Sequence, residues 1–127
     1  MILVDTSVWV DHLRSGNRTL ATFLRREQVL THPFIIGELA CVAIHHRGEV
    51  LEHLSRLPRA EVADDDEVMA LVESKHLFGR GIGWVDAHLL ASALLSHARL
   101  MTLDRHLSRL GGGLGVSQFI SDHWTFS

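Results

Sequence analysis

Four carboxylates in this chain stand where acids are out of place. Glu38 is the one charged residue between Phe34 and Ile44, amid Phe, Ile, Gly, Leu, Ala, Cys and Val. Asp86 is the only formal charge between Arg80 and Arg99, and Asp5 the only one in the first ten residues. Asp104 directly follows the apolar run Leu100–Leu103. A helix apolar on nearly every side belongs in the interior, where a glutamate is hardly ever found without a partner. Several buried carboxylates brought together repel and take up protons unless a cation holds them. Oxygen donors predominate and the single cysteine, Cys41, has no partner, so the cation they suit is Mg²⁺ or Mn²⁺. Each acid also has a plainer role open to it. Asp86 and Asp104 stand at helix starts, where aspartate caps well; Glu38 could pair with a buried arginine, and Asp5 could simply end a strand.

The elements that must position these acids follow from hydrophobic runs and turn signals. Ile2–Val4 reads as a strand, entering a helix from Val8 to Leu13 with Ser7 as its N-cap. A second helix spans Leu20–Arg26, and Val29–Thr31 is the next strand. Pro33 suits the first turn of a helix over Phe34–His46, and a further helix over Glu49–Leu57 stops before Pro58. Glu61–Ala63 is a short strand candidate. Asp64 and Glu67 have the spacing of a capping box, so the run 64–67 is expected to start a helix rather than bind metal. After a loop marked by Gly79, Gly81 and Gly83 come a helix over Val85–Ala98 and a strand over Leu100–Leu103. A second glycine loop, Gly111–Gly115, precedes a last strand, Val116–Ile120. Such alternation implies a three-layer α/β/α domain: a mainly parallel sheet of about five strands with helices on both faces. Ligands of such sheets gather at the carboxyl ends of the strands. Two of the four acids follow strands, one opens a helix and one lies in a helix's early turns, all compatible with one edge of one sheet.

Length and charge fit this picture. The 127 residues, 46% hydrophobic and 21% charged, suit one domain with one core. No signal peptide or 20-residue apolar span is evident, so the expectation is a soluble, cytoplasmic protein. A net charge of −3 argues against bulk coating of nucleic acid. Setting the four acids aside leaves +1, and eleven of the twelve basic residues are arginine, so a weakly basic rim surrounds an acidic centre. Arg80, in the glycine loop near Asp86, is a candidate phosphate contact, though a solvated loop arginine is the plainer reading.

Other chemistries lack their residues. The ten histidines include no His-Glu-x-x-His. Gly79–Gly83 has no third glycine at 84 and follows no strand, and no Gly-Lys-Ser/Thr is present. A phosphate-accepting receiver domain would need a late lysine, whereas the only lysine is Lys75. A haloacid-dehalogenase-like phosphatase would want an aspartate where Ser7 stands.

The opening Met-Ile-Leu-Val-Asp-Thr-Ser-Val-Trp-Val-Asp-His-Leu, Glu38, Gly-Ile-Gly-Trp-Val-Asp-Ala-His-Leu-Leu-Ala-Ser-Ala at 81–93, and Leu-Met-Thr-Leu-Asp-Arg-His-Leu at 100–107 together resemble the acidic motifs of PIN domains. The likeness is strongest to VapC-type toxins, and it lies in the ordered set rather than in any one piece. It implies that Asp5, Glu38, Asp86 and Asp104 are the catalytic, metal-binding acids, with Ser7 and Thr102 as supporting hydroxyls. It further implies an endoribonuclease, dependent on Mg²⁺ with Mn²⁺ as substitute, that cuts single-stranded or loop RNA as the toxin of a type II toxin–antitoxin pair. A cognate antitoxin and a homodimer belong to the same expectation. Two alternatives stay open: an RNA-processing endonuclease without an antitoxin, and a non-catalytic PIN-like module that binds RNA or protein. The latter would be marked by loss of a site acid, and all four remain.

Overall fold

Ile2, Leu3 and Val4 are apolar without alternation, the pattern of a strand covered on both faces, and all three are buried. In the computed structural model, which describes residues 1–116, they form the central strand β1 (Ile2–Val4). β2 (Val29–Leu30) and β3 (Arg99–Met101) flank it, both parallel, in the order β2-β1-β3. The register sets Leu3 against Leu30 on one side and Leu100 on the other. The first connection carries α1 (Thr6–Ser15) and α2 (Arg18–Arg25). The second carries α3 (Pro33–Ala40), α4 (Arg47–Arg56), α5 (Asp65–Ser74) and α6 (Trp84–Leu95), and α7 (Arg105–Gly113) follows β3. The chain steps one way from β1 to β2 and back over β1 to β3. The strand order thus reverses at β1, the place where ligands of such sheets gather, with α3 packed against α1 and α6 against β3.

The sheet of about five strands is corrected to three among the described residues. Glu61–Ala63 is not a strand, because serines of α6 take its backbone: Ser96 Oγ accepts the Glu61 amide and Ser92 Oγ that of Ala63. The only ladder contact nearby is an isolated bridge between Thr31 and Arg59. Of the segment 116–120 only Val116 is described, its carbonyl accepting from the Leu100 amide; the remainder lies outside the described residues. The glycine loop at 111–115 is also corrected. Gly111–Gly113 continue α7, which ends in a Schellman motif with Gly115 at φ +79°, closed by Val116 N–H to Gly111 O and Gly115 N–H to Gly112 O. The helix expected to reach His46 stops at Ala40, since the Arg47 guanidinium bonds the Ala40 carbonyl at 2.8 and 3.0 Å and left-handed His46 starts α4. The Asp64–Glu67 capping box is present as read, both halves formed.

α6 supplies most of the remaining core. Ala87 to Ala93 are buried without interruption, and the helix packs on β3 and α5. It is thus fixed from several sides, and its first turn is held at the strand ends.

Candidate functional site

Asp5 is the residue immediately after β1 and the first before α1, so it sits in the N-cap position that the sequence assigned to Ser7. Its carboxylate makes no capping bond and is 8% exposed. Instead Oδ2 accepts two hydroxyl protons, from Ser7 Oγ and Thr102 Oγ1, both at 2.8 Å. Ser7 lies inside α1 and is not its cap; its hydroxyl donates to Asp5 and accepts the Leu103 amide at 3.0 Å. Thr102 likewise accepts the Asp104 amide at 3.1 Å. The two hydroxyls lie 3.4 Å apart, with both protons already committed to the carboxylate. A buried aspartate is thus locked in one orientation by both flanking strand ends, and all these bonds fall on one of its two oxygens.

The other three acids come to the same edge from three helices. Glu38, on α3, is exposed rather than buried, which corrects the reading of its helix: Ile35 and Leu39 face the core and Glu38 faces away from it. It pairs with no arginine; Thr6 Oγ1 donates to its Oε1 at 2.7 Å. Thr6 was not singled out in the sequence, although its place between Asp5 and Ser7 was a usable signal. Asp104 caps α7, accepting the Leu107 amide at 3.1 Å, so its plainer role is real. Asp86, in the first turn of α6, accepts the Gly83 amide at 3.2 Å. That is half a capping box, glycine having no side chain to return the bond.

Electrostatics ties the four together. Burial raises the Asp86 carboxyl above its ordinary value, the Gly83 amide opposes this, and the charges of Asp5, Asp104 and Glu38 raise it further. Convergence is nevertheless incomplete, since no three His, Cys, Asp or Glu side chains among the described residues gather closely enough to hold one ion. The donor set is all carboxylate oxygen, which suits a hard divalent cation, and the like-charge pressure on Asp86 is the kind such an ion relieves. Arg80 is exposed on the loop before Gly83.

The PIN domain model matches residues 2–113, nearly all of the described chain. The chain belongs to the PIN domain family. Over 118 residues it is 45% identical to "Ribonuclease VapC32" of two Mycobacterium tuberculosis strains, CDC 1551 / Oshkosh and H37Rv, covering 92% of this chain and 95% of each relative. The crystal structure of PAE2754 from Pyrobaculum aerophilum shares the fold at a TM-score of 0.54 and 18% identity, covering 85% of this chain and 77% of that one. No helix among the described residues is long and apolar enough to cross a membrane.

Proposed function

We propose that this PIN-family chain is an endoribonuclease dependent on Mg²⁺ or Mn²⁺, and the toxin of a type II toxin–antitoxin pair. The observation that carries the reading is Asp86, a half-buried carboxylate under pressure from three like charges at the carboxyl edge of the sheet. The ribonuclease name of the 45% identical relatives supports the substrate class, and their VapC name supports the antitoxin partner. A homodimer acting in the cytoplasm completes the proposal.

Asp5, Glu38, Asp86 and Asp104 would hold the ion. When bound it acidifies a water and stabilises charge on the leaving oxygen of a phosphodiester. The chain's own residues prepare this. Ser7 and Thr102 fix Asp5 through Oδ2 and leave Oδ1 to a further ligand. Thr6 steadies Glu38 through one oxygen and likewise leaves the other. Asp86, whose carboxyl is raised above its ordinary value, would present its carboxylate oxygens to the same ion.

The test is cleavage of purified single-stranded RNA with Mg²⁺, with Mn²⁺ and after exhaustive chelation, run beside Asp5→Ala. Cleavage that needs the metal and vanishes in the variant is expected. Undiminished cleavage after chelation, or full activity in Asp5→Ala, would overturn the mechanism. Co-expression with the product of the neighbouring small gene should restore growth to cells that the chain poisons.

A further inference from the structure

A cavity of about 540 Å³ lies between α7 and the segment running from the end of α5 into the glycine loop. Lys75, Arg80, His106 and Arg109 line it together with apolar Leu77 and Leu110, and no acid does. None of Lys75, Arg80 and Arg109 forms an ion pair among the described residues. His106, Arg109 and Leu110 are spaced to share one face of α7, while Leu107, Ser108 and Gly111 are buried. The loop lies tight against that helix. Gly81 has φ +83°, and a Cβ there would stand 3.3 Å from the His106 ring, so glycine shapes the wall.

Both walls of this cavity lead along the chain to one of the acids. Gly81 stands two residues before Gly83, whose amide bonds Asp86, and His106 stands two residues after Asp104. Two aromatic side chains frame Arg80 along the chain and are open to solvent: Phe78 at 60% and Trp84 at 44% exposure. Trp84 is held edge-on to His88 with ring centres 4.7 Å apart. Neither ring lines the cavity itself, but both flank its Arg80 wall in the chain, and cations that match phosphates together with exposed aromatic faces that match unstacked bases form the combination that binds single-stranded nucleic acid.

We infer that the cleft between the 76–83 loop and α7 is the subsite for the single-stranded RNA flanking the scissile phosphate. Lys75, Arg80 and Arg109 hold its phosphates there, and Phe78 and Trp84 stack its bases. The inference rests on the nuclease reading and adds the path by which substrate reaches the acids. A lone phosphate would satisfy the cations and leave the aromatic faces idle, which is why a strand fits better.

The experiment measures anisotropy of a fluorescein-labelled ten-nucleotide single-stranded RNA against Asp5→Asn protein in Mg²⁺, across a salt series. Each phosphate contact contributes a slope of about −0.7 in log affinity against log salt. Arg80→Gln/Arg109→Gln should therefore weaken binding by about tenfold or more and flatten the slope by about 1.4. Phe78→Ala should weaken binding by about fivefold or more with the slope unchanged, because stacking releases no ions. Arg25→Gln/Arg26→Gln, a charge-matched pair at the last residue and C-cap of α2, should do neither. Equal loss in that control, or wild-type affinity and slope in the cleft pair, overturns the subsite. Wild-type cleavage is followed in parallel, so the two readings fail separately. Cleavage with unaltered binding in the cleft pair removes only the subsite, binding through the cleft without cleavage removes only the nuclease reading, and absence of both removes both.

Discussion

Two polar groups of residues lie on opposite terms with the same core. His32 is fully buried, and each ring nitrogen has a partner: the Phe34 amide donates to Nδ1 at 3.0 Å, so Nε2 carries the proton and faces Ser92 Oγ at 3.1 Å. Ser92 in turn accepts the Ala63 amide. Burial first, then the neighbouring His88 and Arg59, lower the His32 pKa to about 4, which keeps the ring neutral. At the strand ends the balance is reversed. Asp86 has one amide partner and three like charges against it, and burial works in the same direction as the charges. A buried polar group whose bonds are closed within the chain is scaffold. One whose charge the chain leaves uncompensated is waiting for something the chain does not contain.

The largest expected effect separates the two groups by what is lost. Thr102→Val removes one of two hydroxyls that orient Asp5 and the acceptor of the Asp104 amide, and should lower cleavage about 10- to 100-fold, well beyond what its modest fall in melting temperature explains. His32→Asn should do the opposite, lowering melting temperature while the folded fraction keeps its cleavage rate. Activity assays paired with thermal melts read both, and a stability loss without an activity loss in Thr102→Val would make that hydroxyl scaffold as well.

The next effect is in the pH dependence of stability. Folded His32 has a pKa near 4 against 6.5 for an ordinary histidine, so as pH falls the unfolded chain takes up a proton that the folded chain refuses. The stabilisation is complete above 6.5 and is lost progressively down to about 4, amounting to about 3 kcal/mol. Chemical denaturation at pH 7 and pH 4.5 should show a fall that His32→Asn largely removes. An equal fall in the variant would assign the acid sensitivity to other groups.

Asp86 has the opposite sign. Its folded pKa is raised, so its contribution favours folding below the ordinary carboxylate pKa and is lost as pH rises through the folded value. At neutral pH without metal, Asp86→Asn should therefore melt higher than the wild type. Mg²⁺ should raise the wild-type melting temperature by binding only the folded form, and should do so much less in the variant. An unchanged Mg²⁺ response in Asp86→Asn would remove that residue from the ion site.

How far the sequence disclosed these regions depended on whether the signal was local. The three strands and the cap at Asp64 rest on contiguous runs and fixed spacings, and they appear close to where they were read. The family likeness also picked out Ser7 and Thr102, which the fold brings to Asp5. The failures share a cause in distant side chains that override local chemistry. Ser92 and Ser96 take amides that would have made Glu61–Ala63 a strand, and Arg47 closes α3 early. Helix ends were hard to see because Glu27, His76 and His97, not glycines, adopt the left-handed position that closes α2, α5 and α6. Glu38 was misjudged for a different reason. Composition shows that a segment is apolar, but on a helix of eight residues one polar position can face outward at no cost to the buried stripe.

Asp104 gives the smallest and most discriminating effect, because it belongs to both sides of the comparison. Its Oδ1 caps α7 through the Leu107 amide, and its charge contributes to raising Asp86. Asparagine keeps an acceptor oxygen and loses the charge, whereas alanine loses both. Asp104→Ala should lower stability by about 1 kcal/mol through the uncapped helix, and Asp104→Asn by no more than a few tenths. If the charge is what the edge requires, both variants should lose cleavage to a similar degree despite their different stabilities, and both should relax the Asp86 carboxyl towards its ordinary value. If the residue is only a cap, activity will follow stability, with asparagine near wild type and alanine reduced. Cleavage rates measured well below the melting temperature of either variant, with the Asp86 titration followed by NMR, decide between the two.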